Sequence, residues 1–201
     1  MNPENLVPNN EKGSENNVSA EAVLASMDEA RAFFNTVKQR LLDVNNWHGL
    51  AGKGTARFQV VDSEGNSANR PVETGDYLKI DIPGPGGASG EGFDWVKVEN
   101  IVTNEDLGEE SILVTVRPTT NPFTTDNNVA HFFTGDATSN FLVVRKSTTV
   151  EARVHGRNEV PNVQETDSLV DKARNAIIGG GAAAGISKLQ WKALVEGLVR
   201  K

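Results

Sequence analysis

The chain has 201 residues, carries a net charge of −7 at pH 7 and contains no cysteine. Without cysteine, disulfide bonds and thiolate chemistry are excluded, both for nucleophilic catalysis and for metal binding. The acidic balance disfavours nucleic-acid binding, because phosphate contacts need clustered Lys and Arg side chains. The length fits one domain with a well-buried core.

The first residues show no targeting or membrane-spanning pattern. Residues 1–17 are rich in Asn and Glu and lack the basic and apolar regions of a secretory signal. No apolar run approaches the ~20 residues that a membrane span requires. We therefore predict a cytoplasmic protein, with a disordered tail over residues 1–17 and a single α+β domain over residues 18–201.

The clearest helical pattern lies in residues 18–45. Apolar side chains recur there at alternating steps of four and three, which places them on one face of a helix. Ser19 is a good N-cap residue, and Asn45 and Asn46 follow the last apolar position. We predict a long N-terminal helix that packs on the sheet. Its apolar stripe consists of Val23, Met27, Ala30, Phe34, Val37, Leu41 and Val44.

Residues 55–156 are predicted to form a curved antiparallel sheet of about seven strands. Alternating and β-branched runs are separated by turns, with no helical stretch between them. Two loops are long, and the Gly- and Pro-rich loop of residues 83–92 matches neither a P-loop nor a nucleophile elbow. The predicted strands are residues 56–61, 77–82, 93–102, 112–117, 129–133, 140–146 and 149–155.

Residues 166–201 are predicted to form a C-terminal helical pair. Capping boxes begin at Ser168 and Ser187, each before a segment with apolar positions at helical spacing. Three consecutive glycines in residues 179–185 would cost a helix roughly 3 kcal/mol relative to alanine. A break or hinge between the two helices is therefore predicted.

A strongly curved sheet that grips a C-terminal helix resembles the helix-grip folds of START-like lipid- and hormone-binding proteins. Two features depart from that pattern: no strand is predicted before the first helix, and glycines interrupt the C-terminal helix. A partly open barrel of the SH3-like or cystatin-like kind is the alternative, and no sequence family is recognised.

The polar residues most typical of a functional site follow the last predicted strand. Strand alternation places Arg153 and His155 on its polar face, and Arg157, Asn158 and Glu159 come next. If the sheet encloses a cavity on that side, the arginines could bind a carboxylate or phosphate, and Glu159 could orient His155 for acid–base catalysis. A plain strand-to-helix turn, with Glu159 paired to Arg157, accounts for the same residues without a function.

Trp95 and His131 are further candidates for lining a pocket, although both also fit buried positions in strands. The three histidines have no metal-ligand spacing, so neither a metal site nor a cofactor is predicted.

These patterns favour a non-enzymatic, soluble binding domain for a small or hydrophobic ligand, with Arg153, His155, Arg157 and Asn158 as polar contacts. One alternative is an interaction or assembly subunit whose C-terminal helix docks on a partner or on a second copy of the chain. The other is an acid–base enzyme that uses His155 and Glu159. Nucleic acid and membranes are not predicted as partners.

Overall fold

The computed structural model describes residues 3–83, 88–106, 108–163 and 182–201. Its centre is one antiparallel sheet with the strand order β1-β7-β6-β5-β4-β3-β2. The strands are β1 (Ser14–Val23), β2 (Arg57–Val61), β3 (Tyr77–Asp81), β4 (Asp94–Asp106), β5 (Glu109–Pro118), β6 (Thr138–Lys146) and β7 (Thr149–Glu159). The α-helices in the described ranges are α1 (Met27–Leu42), α2 (Trp47–Ala51) and α3 (Ala182–Leu198).

The N-terminal region forms a strand where a helix was predicted. Strand β1 pairs antiparallel with β7 along its length, and the first α-helix begins only at Met27. The predictions of a helix from residue 18 and of disorder through residue 17 are therefore wrong for the residues of β1. Val18, Ala20 and Ala22 alternate with polar residues, and this period of two places them against the core.

Six of the seven strands predicted from the sequence are confirmed, with shifts at their ends. Residues 129–133 instead make one isolated bridge, between Phe133 and Pro161. The backbone of Ala130 bonds to Thr119 and Trp95, which holds this segment against the start of β4 and the residue after β5, outside the sheet ladder. The seventh strand of the sheet is β1.

The core lies between one face of the sheet, here called the core face, and the helices. Trp47 of α2 sits at its centre, with its ring 5.2 Å from Phe58 and 4.7 Å from Phe141. Trp191 of α3 stacks edge-on to Phe141 at 5.1 Å. No space for a water molecule is left where α2 and α3 meet this aromatic group. Helix α1 adds its buried stripe, Ala30, Phe34, Val37 and Leu41.

Helix α3 overlaps the predicted glycine break. Residues 182–185 are helical, so the break does not extend through them. The first helix of the predicted C-terminal pair and the glycines at 179–181 lie outside the described residues. The part of α3 near the C-terminus packs into the core through Leu194, Val195 and Leu198, and Val199, the residue after the helix, joins the same core.

Gly197 allows α3 to lie directly on α2. A Cβ at this position would overlap the carbonyl oxygen of Leu50 and lie 2.7 Å from its carbonyl carbon. Because a backbone carbonyl cannot rotate away as a side chain can, we expect Gly197→Ala to lower the free energy of unfolding by about 2 kcal/mol. That overpacking loss exceeds the ~1 kcal/mol that alanine gains over glycine in a helix.

Gly49→Ala in α2 is the matched control, since a Cβ at Gly49 would meet nothing within 4 Å. Urea unfolding should show this variant to be as stable as the parent protein or slightly more stable. Equal stability changes in the two variants would contradict the close approach of α2 and α3.

Candidate functional site

The polar cluster predicted at the end of β7 is divided between the two faces of the sheet. Val154 lies in the core, so strand alternation places its neighbours Arg153 and His155 on the opposite face, here called the outer face. Arg153 donates to Glu151 at 2.7 Å and lines a depression of 390 Å³ there. The two predicted residues therefore point away from the core.

His155 and Arg157 meet on the outer face through Asn17 of β1. Asn17 Oδ1 lies 2.8 Å from His155 Nδ1 and 2.8 Å from Arg157 Nη1. Arg157 is also 3.9 Å from the carboxylate of Glu15. The structure thus brings two predicted residues together and adds Asn17, which the sequence pattern had assigned to the tail.

Asn158 holds the N-terminal segment against the sheet. Its Oδ1 accepts from the backbone N–H groups of Glu11 and Lys12, at 2.8 and 3.2 Å, and its own N–H donates to Asn10 Oδ1. Asn158 has a φ of 55°, a left-handed conformation that asparagine adopts more readily than most residues. In the structure this predicted ligand contact makes structural hydrogen bonds.

Glu159 lies on the core face, opposite His155. The left-handed residue before it interrupts the alternation of β7, and its carboxyl group folds over Gly156, where a Cβ would overlap Glu159 Oε1. Gly156 shares its face with Val154 and not with His155. The hypothesis that Glu159 orients the His155 imidazole in an acid–base pair is therefore wrong.

Asn16 is the neighbour of Glu159 that the sequence pattern missed. It stands opposite Gly156 in the β1–β7 ladder, and its side chain is buried at 8% exposure. Neither Nδ2 nor Oδ1 has a hydrogen-bond partner among the described residues. Ser14 Oγ makes a weak hydrogen bond of 3.5 Å to Glu159 Oε2. Burial raises the pKa of Glu159 to about 7, although Ser14 and Arg157 oppose the rise.

The pair Asn16 and Glu159 forms a polar end to the apolar core face of β1 and β7. Val18, Ala20 and Ala22 of β1 and Val154 of β7 continue the same face. An amide and a carboxyl group side by side offer both donors and acceptors, in a place where water competes little for them.

A groove of 590 Å³ lies beside β2, at the edge of the sheet, and is called here the edge groove. Its floor carries outer-face side chains of β2 and β3, including Arg57, Lys79 and Asp81. The Lys79 ammonium lies 3.7 Å from the centre of the Phe93 ring. The sequence contains no local signal for this groove, because the cross-strand register assembles it.

Trp95 and His131 lie buried beneath the loops beside the outer face. Trp95 Nε1 donates to Gly90 O at 3.4 Å, and its ring is 5.7 Å from Phe123. His131 stacks on Phe132 at 4.2 Å, and its Nδ1 accepts from the Phe133 N–H at 3.0 Å. Both residues have structural contacts, and a role in lining a ligand pocket stays a prediction.

Within the described ranges, no three His, Asp or Glu side chains converge as a metal-binding group. The helices in the same ranges include none that is both long and apolar enough to cross a bilayer.

The sequence matches no protein-family model and no curated protein. Its fold is similar to that of the hypothetical protein jhp0584 from Helicobacter pylori, with 15% identity, a TM-score of 0.51 and coverage of 98% of this chain and 92% of that chain. A truncated norcoclaurine synthase from Thalictrum flavum has 10% identity, a TM-score of 0.39 and coverage of 94% and 96%. At 15% identity, the likeness to jhp0584 shows a shared fold alone. The open seven-stranded antiparallel sheet with its helices is consistent with a helix-grip fold.

Proposed function

We propose that the chain is a binding domain for a small ligand whose hydrophobic body lies against the core face and whose polar group bonds Asn16 and Glu159. The unpartnered Asn16 carboxamide carries this proposal. A buried polar group without a hydrogen bond costs about 1–3 kcal/mol, and native proteins contain few of them. A ligand that supplies the missing partner would recover that cost on binding.

The chemistry of the pair favours a neutral polar group on the ligand. Asn16 can donate and accept, and Glu159 exchanges its proton near neutral pH because burial raises its pKa to about 7. A hydroxyl, amide or amine N–H group can form hydrogen bonds with Asn16 and Glu159 whether Glu159 is protonated or ionised. A ligand carboxylate would be repelled whenever Glu159 is ionised.

The other functions considered from the sequence have less support. Helix α3 buries Leu194, Val195 and Leu198 in this chain's own core, which leaves these three side chains inaccessible to a docking partner. The assembly subunit and the cytoplasmic location stay predictions. Ligand contacts by Arg153, His155 and Arg157 also stay a prediction, which would require a separate site on the outer face.

A fluorescent probe tests the proposal without knowledge of the natural ligand. N-phenyl-1-naphthylamine has an apolar body and one N–H donor, and we expect it to bind the parent protein saturably. Asn16→Leu should weaken this binding roughly fivefold, as expected for the loss of one hydrogen bond. The same variant should be as stable as the parent or more stable, because an unpaired buried amide is replaced by an apolar group of similar size.

Asn17→Leu is the control, since Asn17 is the next residue along β1 and bonds on the outer face. It should leave probe binding unchanged. Pyrene, which has no polar group, should bind the parent and Asn16→Leu alike. The proposal is overturned if the parent shows no saturable probe binding and native mass spectrometry detects no co-purified small molecule. Equal probe affinity in the parent and Asn16→Leu would overturn the role of Asn16.

A further inference from the structure

We propose that the edge groove is a second binding site, which takes the phosphate group of a small phosphorylated molecule through Arg57 and Lys79. The site lies on the outer face of β2 and β3, away from Asn16 and Glu159, so this inference does not depend on the proposed function.

The strand register places the two cations within reach of one phosphate. Arg57 stands opposite Asp81, and Gln59 stands opposite Lys79, so Arg57 and Lys79 are diagonal neighbours on the same face. Diagonal neighbours on adjacent strands are about 7–8 Å apart, so two long side chains at such positions can reach the same ligand group. Arginine supplies a planar pair of donors and lysine a compact charge.

Both cations lack a carboxylate partner in the described part of the chain, whereas several other arginines in and beside the sheet have one. Arg70 pairs with Asp76, Arg117 with Glu99 and Arg145 with Glu110. These three and the other ion pairs of the described residues do not include Arg57 or Lys79. The Lys79 ammonium instead lies over the Phe93 ring, which fixes its position without neutralising its charge.

The volume and the other lining groups suit a small polar molecule. At 590 Å³ the groove falls within the range of about 300–1,000 Å³ that is typical of ligand sites. Ser67 and His48 add polar groups to its wall, and Asp81 is the carboxylate among the described lining residues. A phosphate monoester carries about −1.5 to −2 charges at pH 7, which matches two cations better than a carboxylate does.

Titration of the isotope-labelled full chain with phenyl phosphate, followed by NMR of backbone amides, tests the site. We expect saturable shifts confined to amides around Arg57 and Lys79, and no such shifts with phenol. Arg57→Ala and Lys79→Ala should each weaken binding at least fivefold. Asp81→Asn should strengthen it about threefold, because a repelling carboxylate is removed from the groove.

Lys97→Ala is the matched control, because Lys97 lies on the same face in β4 and contacts the Tyr77 ring at 5.6 Å but does not line the groove. Its affinity for phenyl phosphate should equal that of the parent. Three results would overturn the proposal: no saturation with phenyl phosphate, unchanged affinity in both Arg57→Ala and Lys79→Ala, or benzoate binding as tight as that of phenyl phosphate. The four substituted side chains lie at the protein surface, so each variant should keep the parent's spectrum away from the groove.

Discussion

Arg145→Met should lower the free energy of unfolding by about 3–5 kcal/mol, because it leaves the carboxylate of Glu110 without its buried partner. Arg145 lies in β6 with 2% of its side chain exposed, and its Nε donates to Glu110 Oε2 at 2.5 Å. Glu110 is itself only 16% exposed. Removal of one member of a buried ion pair lowers the free energy of unfolding by more than the intact pair contributes to it, because the remaining charge is poorly hydrated.

The position of this ion pair in the sheet explains why it is buried. Arg145 and Glu110 stand opposite each other across β6 and β5, and the alternation of β6 puts Arg145 on the core face with Val143. The guanidinium also donates to the carbonyl of Ser147 at 3.0 Å. Helix α1 packs on β6 and supplies Arg31, whose Nε is 3.7 Å from the same Glu110 oxygen.

Thermal unfolding measures the effect at about 2–4 °C per kcal/mol for a chain of this length, so Arg145→Met should lower Tm by roughly 6–20 °C. Arg31→Met is the control: Arg31 is 58% exposed, and its loss should cost less than about 1 kcal/mol. The double variant Arg145→Met with Glu110→Leu should recover most of the lost stability, because both charges are replaced by apolar groups. A Tm for Arg145→Met as high as that of Arg31→Met would show that Glu110 does not depend on Arg145.

The sheet was largely predictable from the sequence, because strand alternation is a local property. The exception is β1, whose apolar residues Val18, Ala20 and Ala22 have a period of two. Val23 is the last residue of β1 and is out of phase with them, but it lies four residues before Met27 and so extends the helical stripe backwards. The helical pattern is correct from Met27 onwards and was extended too far back. With β1 in place, a strand does precede the first helix, and one of the two departures from the helix-grip pattern disappears.

The strand order is a further feature that the sequence did not determine. Strands β1 and β2 lie at opposite edges and do not pair with each other, as they would in a closed barrel. This ordering depends on pairing between β1 and β7, which are far apart in the chain. No local pattern contains that information.

The candidate site was less predictable than the sheet, for two physical reasons. A single left-handed residue, Asn158, moves Glu159 to the face opposite His155, and strict alternation cannot anticipate such an irregularity. The neighbour of Glu159 on the core face is Asn16, which comes from the other end of the chain through the β1–β7 register. Similarly, Arg57 and Lys79 become neighbours only through the register of β2 and β3.

Glu159→Gln should stabilise the protein at pH 8 by up to about 3 kcal/mol and change its stability little at pH 4. Burial raises the pKa of Glu159 from 4.5 to about 7 in the folded protein. Between these two values the folded state keeps a proton that the unfolded state has released, so stability falls as the pH rises, by about 1.4 kcal/mol for each pH unit. The parent protein therefore has its full stability below pH 4.5, loses stability as the pH rises through 7, and does not change further above that.

Urea unfolding of the parent and Glu159→Gln between pH 4 and pH 8.5 measures this dependence, because glutamine keeps the neutral form of the side chain at every pH. All other titrating groups are shared, so the difference between the two curves isolates Glu159. Glu196→Gln, at an exposed position of α3, is the control for the loss of one carboxylate outside the core. Parallel curves for the parent and Glu159→Gln would mean that the Glu159 carboxylate is hydrated in the folded protein. Glu159 would then not be buried beside Asn16 in solution. If the curves of the parent and Glu159→Gln instead converge at low pH, as predicted, a carboxyl group that exchanges its proton near neutral pH lies on the core face, beside an Asn16 amide without a hydrogen-bond partner.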